Sequence, residues 1–136
     1  MRVVFDTNVM VSGMLWKGAK SPLFVLVEKG AIELCTTPGI LEEIRRVLRY
    51  PKIAKQLRVA GITIEEVMEY LLQYASVFED SDIVETIPND PSDTMFLNCA
   101  VVSGARWVVS GDKHLLSIRL YRDIHITTPA QFLRRF

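Results

Sequence analysis

The sequence predicts an α/β fold in which a central, mostly parallel sheet is covered by helices on both faces. Three observations predict it. Short apolar runs (RVVF, AIELCTT, ARWVVS) alternate with segments of helical periodicity. The runs are close to continuously apolar, as strands covered on both faces are. The length of 136 residues, with 49% hydrophobic content, suits one domain, residues 1–136, with one core.

RVVF reads as a buried strand and Asp6 to Gly13 as its exit, with no helix expected directly after Asp6. Ser21-Pro22 can open a helix to about Lys29, which Gly30 ends. AIELCTT is the second strand. Pro38 opens a helix through about Arg49, and the Tyr50-Pro51 pair breaks it because proline disfavours helix at the residue before it. PKIAKQLRVAG reads as a short basic helix. Thr63 is a natural N-cap for IEEVMEYLLQYA, with Glu66 as its capping-box partner. On that helix Ile64, Val67, Met68, Leu71, Leu72 and Ala75 form one side, with Tyr70 and Tyr74 beside it as core or as a partner surface. SVFEDSDIVE holds a weak strand or an extended loop. NDPSD starts a helix that Gly104 stops. ARWVVS is a strand, GDKHLL a loop and short helix, IHITT a last strand and PAQFLRRF a final helical turn or two.

Net charge is zero but unevenly spread. Residues 45–58 carry Arg45, Arg46, Arg49, Lys52, Lys55 and Arg58 and no acid, whereas residues 59–105 carry nine acids and no Lys or Arg. The total gives no reason to expect tight nonspecific nucleic-acid binding, although a local basic patch can steer an anion. No apolar stretch approaches the roughly 18–20 residues of a membrane span, and the N-terminus is not built as a signal peptide. Cys35 and Cys99 sit among apolar neighbours and read as buried, reduced thiols in a cytoplasmic protein.

Several acids fit this pattern poorly. In an open parallel sheet, ligands sit beyond the carboxyl ends of the strands. Asp6 follows the first strand and Asp112 follows ARWVVS, which places both at that edge. Ile40, Leu41, Ile44, Val47 and Leu48 form one helical stripe; Glu42 points away from it and Glu43 lies on its border. Glu43 is then either an ion-paired rim residue or part of a site. Asp93 lies on the core-facing side of its helix's first turn, where the helix dipole also favours an acid. Asp90 precedes Pro91 as an N-cap would, and Asp112 could cap the KHLL turn. Asn8 could take a left-handed turn conformation. Together, Asp6, Glu43, Asp93 and Asp112 can face one cleft. Carboxylates that close repel by roughly 4 kcal/mol per pair at about 4 Å and an effective dielectric near 20, so the cluster calls for protons or cations. All-oxygen ligands suit Mg²⁺ or Mn²⁺, and the chemistry implied is metal-assisted phosphodiester hydrolysis.

FDTNVMVSG, ILEEIRRVLRYPKI and DPSDTMFLNCAVVSGARWVVSGDKHLL, in that order and spacing, resemble the PIN domain over essentially the whole chain. The resemblance is nearest to bacterial and archaeal PIN proteins regarded as toxins of toxin–antitoxin pairs, relatives of the VapC toxins. It implies a three-layer α/β/α Rossmann-like fold and a Mg²⁺- or Mn²⁺-dependent endoribonuclease whose products carry a 5′-phosphate and a 3′-hydroxyl. It implies metal ligation by Asp6, Asp93 and Asp112, with Glu43 completing the site or orienting water, and Asn8 fixing a carboxylate or a water. Ser12 and Ser110 match small polar positions of the family. A homodimer and a small antitoxin inserted over the acidic site are implied too, with Lys113, Arg45, Arg46 and Arg49 as phosphate contacts or as a solvated face. Competing readings are a PIN scaffold that binds RNA or a partner without cutting, a DNA structure-specific nuclease, a metal-free nuclease using His114 and His125, and a phosphatase- or receiver-like domain.

Overall fold

The computed structural model describes residues 1–15, 20–84 and 94–136. Its six strands are β1 (Arg2–Phe5), β2 (Glu33–Thr36), β3 (Ala75–Val77), β4 (Trp107–Val109), β5 (Leu120–Tyr121) and β6 (Ile124–Thr127). They form one sheet in the order β3-β2-β1-β4-β6-β5. All neighbours pair in parallel except β5 and β6. β1 lies inside the sheet, with Val3 opposite Leu34 of β2 and Val4 opposite Val108 of β4. Val3, Val4, Phe5, Leu34, Cys35, Val108 and Val109 are fully buried, as expected for strands covered on both faces.

The helices are α1 (Thr7–Met14), α2 (Pro22–Glu28), α3 (Pro38–Leu48), α4 (Pro51–Ala60), α5 (Ile64–Tyr74), α6 (Thr94–Ser103), α7 (Lys113–Ile118) and α8 (Pro129–Leu133). Most follow from local chemistry. Ser21, Thr37 and Thr128 cap α2, α3 and α8, each with proline in the first turn. Thr63 and Glu66 form the expected capping box on α5. Gly104, at φ +75°, lets the chain leave α6 for β4. α3 buries Ile40, Leu41, Ile44 and Leu48 on the predicted stripe. Cys35 and Cys99 are buried free thiols, and burial pushes the Cys99 thiol up to about 12, so it stays protonated.

Three expectations are corrected. Residues 7–14 are helical rather than a loose exit, so Asn8 takes a right-handed helical conformation, not a left-handed turn. Leu72 is 59% exposed, because the buried face of α5 runs through Val67, Met68 and Leu71. The two-residue β5, which turns back on β6, is too short to leave a pattern in sequence. The predicted start of α6, with Asp90 and Asp93, lies outside the described residues.

α1 packs through a glycine. A Cβ on Gly13 would stand 2.4 and 2.6 Å from ring carbons of Phe24. That ring is 2% exposed and held edge-on between Phe5 and Tyr70. Gly13→Ala gains about 1 kcal/mol of helix propensity against about 1–3 kcal/mol of overpacking. The expected net result is a melting temperature lower by roughly 2–6 °C. A variant that melts at or above the parent would show that the Phe24 ring can yield.

Candidate active site at the carboxyl edge of the sheet

β1 leads outward to β2, whereas β4 lies on its other side and leads on to β6, so the topology switches direction between β1 and β4. Crevices of that kind open at the carboxyl ends of the strands. Asp6 immediately follows β1 and Asp112 lies three residues beyond β4. The Asp6 backbone N–H donates to the Val109 carbonyl at 3.0 Å, which ties the two strand ends together.

Asp6 is 4% exposed. Its Oδ1 accepts from the Val9 backbone N–H at 2.8 Å, making it the N-cap of α1. Its Oδ2 accepts from the Ser110 hydroxyl at 2.5 Å. Ser110, fully buried at the end of β4, also accepts at Oγ from the Asp112 backbone N–H at 2.9 Å. One serine thus links the two acids. Asp112 caps α7 through Oδ1, which accepts from His114 and Leu115 N–H groups at 2.8 and 3.2 Å. Among the described residues no donor reaches its Oδ2. Burial pushes the Asp6 carboxyl above the ordinary carboxylate value, against the pull of Ser110, Val9 and Gly111, and the Asp112 charge adds to the rise.

Glu43 comes to the same corner from α3. Its Oε2 accepts from the Thr7 hydroxyl, next in the chain to Asp6, at 2.7 Å. Its Oε1 accepts from Arg46 at 3.3 Å. The border position in the α3 stripe therefore holds an arginine pair on one oxygen and the Thr7 hydroxyl, beside Asp6, on the other. Arg45 is engaged with Glu65 at 2.9 Å, while Arg49 and Lys113 are exposed. His114 lies in the first turn of α7, whereas His125 stacks on Trp107 at the amino end of β4, with ring centroids 4.7 Å apart.

The structure thus brings Asp6, Asp112 and Glu43 to one edge, while Asp93 lies outside the described residues. Among the described residues no group of three or more His, Cys, Asp or Glu side chains is placed to hold a metal ion. The donors present are all carboxylate and hydroxyl oxygens. Asp112 disfavours ionisation of Asp6, and a divalent cation relieves that kind of repulsion, so the described part of the set fits Mg²⁺ or Mn²⁺.

Asn8 and Ser12 are exposed one turn apart on α1 and line a pocket of about 250 Å³, whose other walls include Val9, Pro22, Leu23, Gly111, Pro129 and Leu133. Sequence reading missed this pocket, because its walls come from three helices and a loop far apart in the chain. It also missed Asp80, whose carboxylate accepts from the Gly39 N–H at 3.1 and 3.2 Å and braces the start of α3.

A family model described as "PIN domain" matches residues 2–114. No curated protein matches the chain. Among solved structures, the crystal structure of PAE2754 from Pyrobaculum aerophilum is similar, with a TM-score of 0.53 at 14% identity over 98% of this chain and 88% of that one. At that identity the likeness bears on the fold alone. No described helix is long and apolar enough to cross a membrane.

Proposed function

The chain belongs to the PIN domain family, whose members are in general nucleases, and from that premise we propose that it is a Mg²⁺- or Mn²⁺-dependent endoribonuclease acting as the toxin of a toxin–antitoxin pair. One observation carries the reading: a buried carboxylate, Asp6, at the sheet's switch point, joined through Ser110 to a second acid, Asp112. Burying a carboxylate is costly where it serves only packing.

Asp6, Asp93 and Asp112 would hold the ion, with Glu43 completing the site or orienting the attacking water. A bound divalent ion supplies a water of lowered pKa and charge for the developing phosphorane-like oxygens. The remaining work belongs to the chain. Val9 N–H and Ser110 hold the two oxygens of Asp6. Thr7 fixes Glu43 from one side and Arg46 from the other. The α7 N-terminus holds Asp112 by Oδ1. In this reading a small antitoxin covers the acidic edge and the protein acts as a homodimer.

The test is cleavage of a labelled mixed-sequence RNA with Mn²⁺, with Mg²⁺ and in chelator. Wild type is expected to cut only with metal, and Asp93→Asn to lose cutting in both metals. If wild type cuts nothing and Mn²⁺ does not raise its melting temperature, the chain is a binding scaffold. Cutting of branched DNA but not RNA would reassign the substrate.

A further inference from the structure

We propose that the pocket beside the acids receives one nucleobase of the RNA strand, next to the scissile phosphate, and that Asn8 and Ser12 read its edge. The proposal rests on the ribonuclease reading above and names a substrate contact for it.

The pocket's chemistry points to an uncharged, flat, mostly apolar group. Among the described residues its lining carries no charged side chain. Val9, Pro22, Leu23, Pro129 and Leu133 give it apolar walls, which suit neither a phosphate nor a basic side chain. At about 250 Å³ it is smaller than the roughly 300–1,000 Å³ of sites for drug-sized ligands, and so suits part of a nucleotide rather than a larger molecule. A base spread out of a single strand is such a group: its faces seek apolar or aromatic surfaces and its edge seeks hydrogen bonds.

The polar groups are at the rim. Asn8 and Ser12, at i and i+4, share one face of α1. Asn8 offers a donor and an acceptor, Ser12 a hydroxyl. Among the described residues neither side chain makes a hydrogen bond within the protein, so both are free to meet a ligand. The family resemblance implies that Asn8 fixes a carboxylate or a water; no bond to a described carboxylate engages it, and its place on the pocket lets it reach the substrate.

The pocket's position ties it to the acids. Asn8 is two residues beyond Asp6 on the helix that Asp6 caps, about 3 Å along its axis. Gly111, which also lines the pocket, separates Ser110 from Asp112. A strand with its phosphate at the acids therefore has the adjoining sugar at the pocket mouth and the base inside.

Two measurements test this. First, the cut made in the mixed-sequence RNA is mapped, and a single abasic unit is placed at each position around it. Wild type is expected to lose about tenfold or more in kcat/KM at one position adjoining the cut, the scale of one base contact. Ser12→Phe, which fills the pocket mouth, is expected to bring the ratio of intact to abasic RNA to about one, and Asn8→Ala to shrink it. Second, in chelator, a short RNA carrying 2-aminopurine reports base insertion by its fluorescence without any cutting. Wild type is expected to change that signal on binding and Ser12→Phe not to. Cutting that ignores every abasic unit, or a base signal unchanged by Ser12→Phe, overturns the pocket and leaves the nuclease standing. A base signal lost in Ser12→Phe, without cutting in any metal, overturns the nuclease and leaves the pocket standing. Neither signal overturns both, and the apolar pocket is then open to a protein partner's side chain.

Discussion

Asp6→Asn is expected to lower RNA cleavage by a thousandfold or more, about 4 kcal/mol of barrier, and to leave the metal-free protein as stable as the parent or more so. Asparagine keeps the shape. Its carbonyl can still accept from Val9 N–H, and its amide can donate to the Ser110 oxygen in place of accepting from it. What it loses is the charge. Burial raises the Asp6 carboxyl above its ordinary value, so the folded protein binds that proton more tightly than the unfolded chain does. Asp6's contribution to stability is therefore complete below the unfolded value, about 4, and is lost as pH rises through the folded value. Above that window the ionised group is a liability that a cation offsets and that asparagine does not carry. Thermal melts at neutral pH check this. Mn²⁺ is expected to raise the melting temperature of wild type and not of Asp6→Asn. A variant melting well below the parent in chelator would make Asp6 chiefly a structural cap, and its lost activity would then say nothing about metal.

Ser110→Ala is expected to reduce kcat/KM by about 10–100-fold, the usual scale when a residue that orients a metal ligand is lost. It is also expected to cost about 1–3 kcal/mol of stability. The hydroxyl has two partners, Oδ2 of Asp6 and the N–H of Asp112, and both lie in a region water reaches poorly. Alanine leaves the backbone bond from Ser110 N–H to the Thr127 carbonyl intact, so the strand end stays in place while the acids come loose from each other. Single-turnover cleavage together with Mn²⁺ titration of the melting temperature separates the two effects. A parental rate with reduced stability would confine Ser110 to the fold.

Much of this architecture is legible in the residues. β4 is apolar at every strand position and β1 at every position after Arg2, as strands of a doubly covered sheet are, and the capping chemistry of Ser21, Thr37 and Thr63 marks helix starts by itself. The placement of Glu43 follows from the period of α3. What escaped reading is what depends on distant partners. Apart from Met10 and Met14, α1 is composed of threonine, asparagine, valines, serine and glycine, all weak helix formers. It is helical because Asp6 caps it and because it packs on α3. The acid that seemed to have nothing to cap is therefore the reason the helix exists, and its capping and its place at the site are one feature. The pocket and the Asp80 brace draw on segments tens of residues apart, where no local period can announce them. Asp93, matched to the site by motif alone, stands on sequence spacing.

β1 is made first yet lies inside the sheet, and the bond that completes its end spans 104 positions, from Asp6 to Ser110. At a synthesis rate of roughly 5–20 residues per second, Asp6 waits on the order of ten seconds for the serine that holds it. During that interval the acids of a growing chain are strangers to one another. The chain emerges among the ribosome's own RNA with its site still in pieces, and the order of its strands defers assembly until β4 and the residues just beyond it have been made.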